Sequence, residues 1–508
     1  MQRHETRPVD PVLVAPLKRT GPGYWVVVAV LATMVSWGFY AWLHQFREGL
    51  GVTGMNRPIY WGLYITNFVF FIGISHAGAF ISAILRIVGA GWRRPITRAA
   101  EAITVFSLVM AISQILLDMG RPDRILNVLL YGKLESPLLW DMTSVGVYFL
   151  GSVTFLYLPL IPDMAILRDQ APLGSGLRQR LYRILAFGWH GGPEQRRRLE
   201  KAMGIMAVLI IPIMVTVHTT VSWIFGLTLQ PMWHSTILGP YFVIGAIYSG
   251  IATVVLVTAL IRKVWHLESY LRPQHFNSLS LLLIAMSALW AYFTVAELMT
   301  TAYGNLTAEM VVFEAKWSGE FRFVFWAMAG CMALAFALLI LPRLMPSRWA
   351  SAVHPRRRPM GALAGVAAII LIVVPALSLQ GGGFAQAGAA PRLVLLLAAL
   401  ALAVLFVAAL AYLKGRTIAQ AVVASLLVNV GMWLERFAII VPTESRPTLL
   451  FSVGVYRPTW VEWSITVGAF AALALLYAIF VKVFPIISIW EVQEGATTAG
   501  AEVATGGE

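Results

Sequence analysis

Several ionisable residues stand inside, or at the ends of, long apolar runs: Asp118, Asp141, His218, His234, Glu297, Glu435 and Arg436. A charge in a bilayer costs at least about 2.5–3.5 kcal/mol even on the lenient insertion scale. Read along the chain, these residues fall near one face, which marks a site there for protons or a polar head group. Asp118 closes one apolar run, Asp141 opens the next, and Gln114 lies one helical turn from Asp118 on the same face. Arg121 and Arg124 follow in the connection 119–136, which is expected to roof the pocket. A quinone head group needs these residue types. Its carbonyls want donors, its hydroquinone form wants proton acceptors, and burial makes a carboxyl a usable acceptor near neutral pH. The bland alternative is an Asp–Arg pair closing a helix end.

Four further residues invite the same question. His76 sits mid-run in FIGISHAGAFISAILR, where small neighbours let helices approach closely. It reads as a packed core histidine, a quinone contact or a proton relay. His218, in VTVHTTVSW, is similar. Two such histidines on different helices could in principle hold a haem, but the paired, same-face histidines of a two-haem bundle are missing. Glu101, in RAAEAITVF, suits a helix N-terminus or a point of proton uptake. Glu297 lies deeper in its run and joins His76, Glu101 and His218 on a candidate proton path. Glu435 and Arg436 are adjacent and are expected to neutralise each other. The only cysteine, Cys331, cannot make an intrachain disulfide, a Cys-rich zinc site or an iron–sulfur centre. No phosphate loop, H-E-x-x-H or nucleophile elbow occurs, so nothing suggests a self-contained hydrolase, and electron transfer would use cofactors on a partner.

The elements that must position these residues are membrane helices. Of 508 residues, 59% are hydrophobic and only 12% charged, about half the charge of a soluble protein. The apolar runs are continuous rather than alternating, which predicts helices and not a barrel. Spans are expected at 24–46, 59–88, 97–118, 137–161, 202–226, 236–262, 278–302, 322–342, 361–379, 392–413, 417–441 and 461–484. The fold class is therefore an all-α polytopic membrane protein with about 12 transmembrane helices. Basic residues alternate between loops: Arg86 to Arg98, Arg178 to Lys201, Arg262 to Arg272, Arg343 to Arg358, and Lys414 with Arg416 share one side. The net charge of +14 is then the positive-inside bias, and both termini are expected in the cytoplasm. No cleaved signal peptide is read at the start. The stretch 162–201 is expected as a basic loop suited to anionic lipid. The tail from 491 reads as disordered.

Several strings resemble the NrfD/PsrC-like (polysulfide reductase) membrane subunits, most nearly the ActC type of bacterial alternative complex III. They are WGLYITNFVFFIGISHAGAFISAILR, LLDMGRPDR, SPLLWDMTSVGVYF, PMWHSTILGPYFVIGAIYSG and VNVGMWLERFAIIV. The likeness covers about 24–342 and 417–490. It implies a core of ten helices, as two four-helix bundles with peripheral helices, and no haem or iron–sulfur cluster in this chain. It implies menaquinol oxidised near the periplasmic face of a bacterial inner membrane. Electrons would pass to an iron–sulfur subunit and a multihaem cytochrome c, in a respiratory or photosynthetic chain, with a second NrfD-like subunit alongside. Proton release and translocation would accompany it. By the same likeness Asp118 and Asp141 are the proton-handling positions of the quinol site, with Gln114, Arg121 and His76 as quinone-binding neighbours. His76 and Glu101 match proton-path positions. Family members carry His or Asp where this chain has Asp118.

The resulting division is 1–23 as a cytoplasmic segment, 24–342 as the core, 343–416 as an insertion with two extra spans, 417–490 as the last core helices, and 491–508 as the tail. Two rivals follow: the membrane anchor of a molybdenum-dependent polysulfide-type reductase, and a secondary transporter. A transporter's sites should lie near the midplane at broken helices, and its repeats should show in the sequence. Nucleic-acid binding does not fit.

Overall fold

In lipid every backbone amide must find a partner within the chain, and a helix does this segment by segment. The computed structural model describes residues 9–18, 20–169, 176–344, 413, 415–448 and 454–494. Among these residues ten helices are long and apolar enough to cross a membrane, and no strand occurs. The elements are α1 (Pro11–Lys18), α2 (Pro22–Glu48), α3 (Leu63–Ile87), α4 (Arg94–Asp118), the short α5 (Leu126–Leu130), α6 (Pro137–Asp169) and α7 (Leu177–Leu185). They continue with α8 (Pro193–Gly226), α9 (Leu238–Val264), α10 (Pro273–Gly304), α11 (Thr307–Trp317), α12 (Arg322–Leu344), α13 (Thr417–Glu444) and α14 (Trp460–Val483). The two extra spans expected at 361–379 and 392–413 lie outside the described residues, apart from Leu413.

Helices α3, α4, α6 and α8 pack as one bundle, and α9, α10, α12 and α13 as a second, joined where α3 lies along α9. Helices α2 and α14 pair at the periphery, and α14 also rests on α4. That pairing depends on two glycines. A Cβ on Gly38 would stand 3.0 Å from Gly468 Cα and 3.0 Å from Ser464 O. Trp37 donates to Ser464 Oγ at 3.0 Å beside the crossing. Gly38→Leu or Gly468→Leu therefore has to push the helices apart, at a cost of about 1–3 kcal/mol for overpacking. The expected result is a lower midpoint in thermal unfolding of the detergent-purified protein, with Gly38→Ala milder than Gly38→Leu.

Three expectations are corrected. The stretch 162–201 is not one long loop, because α6 runs through Pro159 and Pro162 to Asp169, and α8 begins at Pro193. Proline removes a helical hydrogen bond, but the Pro159 carbonyl gains Arg98 Nη2 as a donor at 2.9 Å. The start of the expected disordered tail is also folded: 491–494 are helical and Glu491 is buried. Ile486, Ile487, Ile489 and Trp490 tuck beneath the first bundle, where apolar burial outweighs chain entropy. Within 1–23, residues 11–18 form α1, whose Leu13, Val14 and Leu17 are buried.

Candidate functional site

Near the Asp118 end of the first bundle, side chains of α3, α4, α13 and α14 build a buried polar network. Asn67 Nδ2 donates to Thr466 Oγ1 at 2.9 Å and to Gln114 Oε1 at 3.3 Å, and Trp433 Nε1 donates to Asn67 Oδ1 at 2.9 Å. Tyr64 Oη donates to Gln45 Oε1 at 2.5 Å, and Gln45 Nε2 to the Leu117 carbonyl at 2.9 Å. Within this network Gln114 Nε2 and Asp118 Oδ1 are buried and have no hydrogen-bond partner among the described residues. They stand one turn apart on α4, a donor and an acceptor on one face. Orphaned buried polar atoms are costly, so such a pair marks a ligand position.

The charged groups acting on Asp118 are Glu444 and Glu462. Neither is free to move. Glu444 Oε2 accepts the Tyr60 and Trp61 amides, both at 2.7 Å, and Glu462 Oε2 accepts the amides of Gly54 at 2.7 Å and Thr459 at 2.9 Å. Tyr456 Oη donates to Glu462 Oε1 and accepts the Leu63 amide at 2.8 Å. These carboxylates clamp the loops that enter α3 and α14. Asp141, in the first turns of α6, is also buried with Oδ1 unpartnered, and no charged side chain offsets its burial. Asp118 and Asp141 thus have different charged surroundings and do not act on each other as an ion pair would. Arg121 does not reach either carboxyl. It is exposed and paired to Asp123 through contacts of 3.0 and 3.1 Å, and Arg124 is exposed beside it. An arginine placed next to an aspartate in a short 3-10 turn finds that partner first.

A second polar layer lies deeper. The His76 and His218 rings touch, with centroids 4.0 Å apart at 68°, leaving no room for a planar macrocycle between them. His76 Nδ1 lies 2.9 Å from the Ile72 carbonyl, and Nε2 lies 2.9 Å from that of Met214. A neutral imidazole donates through only one nitrogen, so this cradle is fully satisfied only when the ring holds both protons. Both ring nitrogens of His218 are buried without a partner among the described residues. Beyond it, Arg436 lies over the Phe242 ring at 5.0 Å and pairs with Glu435 at 2.9 Å. Glu435 Oε1 accepts Trp290 Nε1 at 2.6 Å. The guanidinium fits because Gly245 has no side chain, since a Cβ there would stand 2.6 Å from Arg436 Nη2. His218, Glu435 and Arg436 are therefore not at one surface. Eight or nine residues separate them from their helix ends, about 12–13 Å at helical rise.

Towards the basic face, Glu101 Oε1 accepts Ser82 Oγ at 2.6 Å, and Oε2 is unpartnered. It borders a cavity of about 10 Å³ lined also by Gly78, Thr104 and Ser152, roughly the room one water needs. A π-helical turn, Ala79–Ile84, carries Ser82 towards it. Thr104 Oγ1 donates to the Ser75 carbonyl at 2.7 Å, next to His76. In the second bundle Glu297 faces Lys316 of α11, whose burial lowers its pKa while Glu297 opposes the shift. His234 is exposed at the surface and pairs with Glu309 at 3.1 Å. The sequence pattern alone did not point to Asn67, Tyr64, Tyr456, Glu444 or Glu462. Only Glu462 carried a signal, since Thr459 and Glu462 have the spacing of a capping box.

Comparison with known proteins places this arrangement. The family model described as polysulphide reductase, NrfD, matches residues 51–374, more than half of the chain. The chain belongs to the NrfD family. The putative third membrane component of a dimethyl sulfoxide reductase from Halobacterium salinarum is 31% identical over 234 residues, 46% of this chain and 51% of the relative. The NrfD chain thus spans about half the length of that relative. A selenate reductase subunit of Mesobacillus selenatarsenatis is 24% identical over 69% of the chain and 79% of its own length. An Hdr-like menaquinol oxidoreductase integral membrane subunit of Archaeoglobus fulgidus is 24% identical over 64% and 71%.

Proposed function

We infer that this NrfD-family chain is the quinol-handling membrane subunit of a multi-subunit oxidoreductase. The observation that carries this is the orphaned pair Gln114 Nε2 and Asp118 Oδ1, a donor and an acceptor one turn apart in a buried network, with the unpartnered Asp141 carboxyl nearby in sequence. A quinol hydroxyl satisfies both kinds of atom. Oxidising a quinol to a quinone releases two protons and two electrons. Asp118 and Asp141 take the protons, and Gln114 fixes the head group. His76, His218, Glu101 and Glu297 form the proton path through the chain. The electrons leave to an iron–sulfur subunit on the periplasmic side.

The finer reading is the alternative complex III type, with menaquinol as donor, a multihaem cytochrome c as next carrier, and a second NrfD-like subunit beside this one in a bacterial inner membrane. A second reading keeps the site and reverses the flow, as the anchor of a molybdenum-dependent reductase. The names of the dimethyl sulfoxide and selenate reductase relatives favour it. Purification through a tag on this chain tests both. Copurified c-type haem and iron–sulfur signals with naphthoquinol oxidation support the first, and copurified molybdopterin with quinol-driven reduction of an oxyanion or S-oxide supports the second. Absence of any redox partner from the intact, detergent-extracted assembly overturns both.

A further inference from the structure

Helix α7, LRQRLYRIL, presents three faces. At about 100° per residue, Arg178, Tyr182 and Leu185 fall on one side, with Ala186 just past the end. This side faces the protein: Tyr182 is buried and donates to the Val483 carbonyl at 2.9 Å, and Arg178 donates to the Lys482 carbonyl and, at 3.3 Å, to that of Leu17. Lys482 and Val483 are the last residues of the spanning helix α14, so these bonds hold α7 at the height where α14 leaves the apolar layer. Leu177, Leu181 and Ile184, spaced i, i+4 and i+7, form the second face, and they are 83%, 36% and 65% exposed. Arg180 and Arg183 lie on the third, exposed and without an ion pair among the described residues. The nearest acidic residue along the chain after them, Glu194, is taken by Arg197 and Arg198.

An apolar stripe flanked by uncompensated cations, held at the edge of the membrane, is complementary to one surface: acyl chains beside anionic head groups. We propose that α7 lies in the membrane interface, with Leu177, Leu181 and Ile184 among acyl chains, and that Arg180 and Arg183 hold the phosphate of an anionic phospholipid. This site is independent of the quinol reading. It uses none of the residues around Asp118, Asp141 or His76.

The test uses the full chain in nanodiscs of phosphatidylcholine containing phosphatidylglycerol. In a Cys331→Ala background, a fluorophore is attached to Leu181→Cys. Quenching by brominated phosphatidylglycerol is compared with quenching by brominated phosphatidylcholine at equal mole fraction. The expected result is quenching by both, stronger for phosphatidylglycerol by about fivefold, the factor one arginine confers at an anionic surface. In Arg180→Gln/Arg183→Gln the ratio falls to one. A probe on Val208→Cys, on the exposed side of the spanning helix α8, keeps a ratio near one in both backgrounds and reports that the fold is intact. No quenching at position 181 by either lipid means that water or a protein partner covers α7, and overturns the proposal. Equal quenching, or a ratio unchanged by removing both arginines, overturns the head-group site.

Discussion

Asp118→Asn lowers quinol turnover of the assembled complex by about 10²- to 10⁴-fold, the range a positioned acid–base group supplies. Asparagine keeps the volume and removes the proton acceptor. Asp118 Oδ1 makes no hydrogen bond among the described residues, so the substitution breaks none at that atom. Assembly and thermal midpoint should therefore change little while turnover collapses. Asp141→Asn is expected to act in the same way, because its carboxyl is equally unpartnered. Glu444→Gln and Glu462→Gln are the contrasting controls. Those carboxylates clamp backbone amides, and their loss should show first as instability of the loops entering α3 and α14. Normal turnover in both Asp118→Asn and Asp141→Asn, measured with a naphthoquinol on the intact complex, removes the site as proposed.

Arg98→Met destabilises the chain by about 3–5 kcal/mol, because it leaves Asp163 buried without its cation. The two side chains are 2.9 Å apart, and both are almost fully sealed. Arg98 also donates to the Pro159 carbonyl, and Asp163 accepts the Trp490 amide at 2.8 Å. Asp163→Leu is expected to cost a similar amount, since it strands Arg98. The double replacement Arg98→Met/Asp163→Leu should recover most of the loss, because an apolar pair of similar volume needs no desolvation of charge. Thermal unfolding of the four proteins in one detergent reads this directly. Additive rather than compensating losses would show that the pair is not a coupled unit.

The spanning helices were legible because lipid imposes one rule, length and apolarity, and each described span lies within a few residues of its expected position except where α6 and α8 continue past the apolar run. Those extensions are capped and packed by polar residues, which hydropathy does not weigh. Within the site, Asp118, Gln114 and Asp141 stood out because a polar residue in an apolar run is costly wherever it points. Arg121 misled because sequence proximity carried no geometry: its neighbour Asp123 claims it. The contact between His76 and His218, which lie 142 residues apart, and the placing of Arg436 against Gly245 are products of tertiary packing, and neither has a local pattern. Glu444 and Glu462 sit at helix ends, where carboxylates are common, so their convergence on the loops before α3 was invisible.

The bond from the Trp490 amide to Asp163 spans 327 positions of chain. At roughly 5–20 residues per second, a ribosome needs about a quarter of a minute to a minute to travel that distance. Throughout that interval the first bundle is inserted but its buried carboxylate lacks a ligand that has not yet been made. Glu491 likewise arrives late to Arg86 and Arg93. The oldest part of the protein is thus finished by one of the youngest, and stalled or truncated chains would expose an open, charged seam on the basic side for quality-control proteases to recognise.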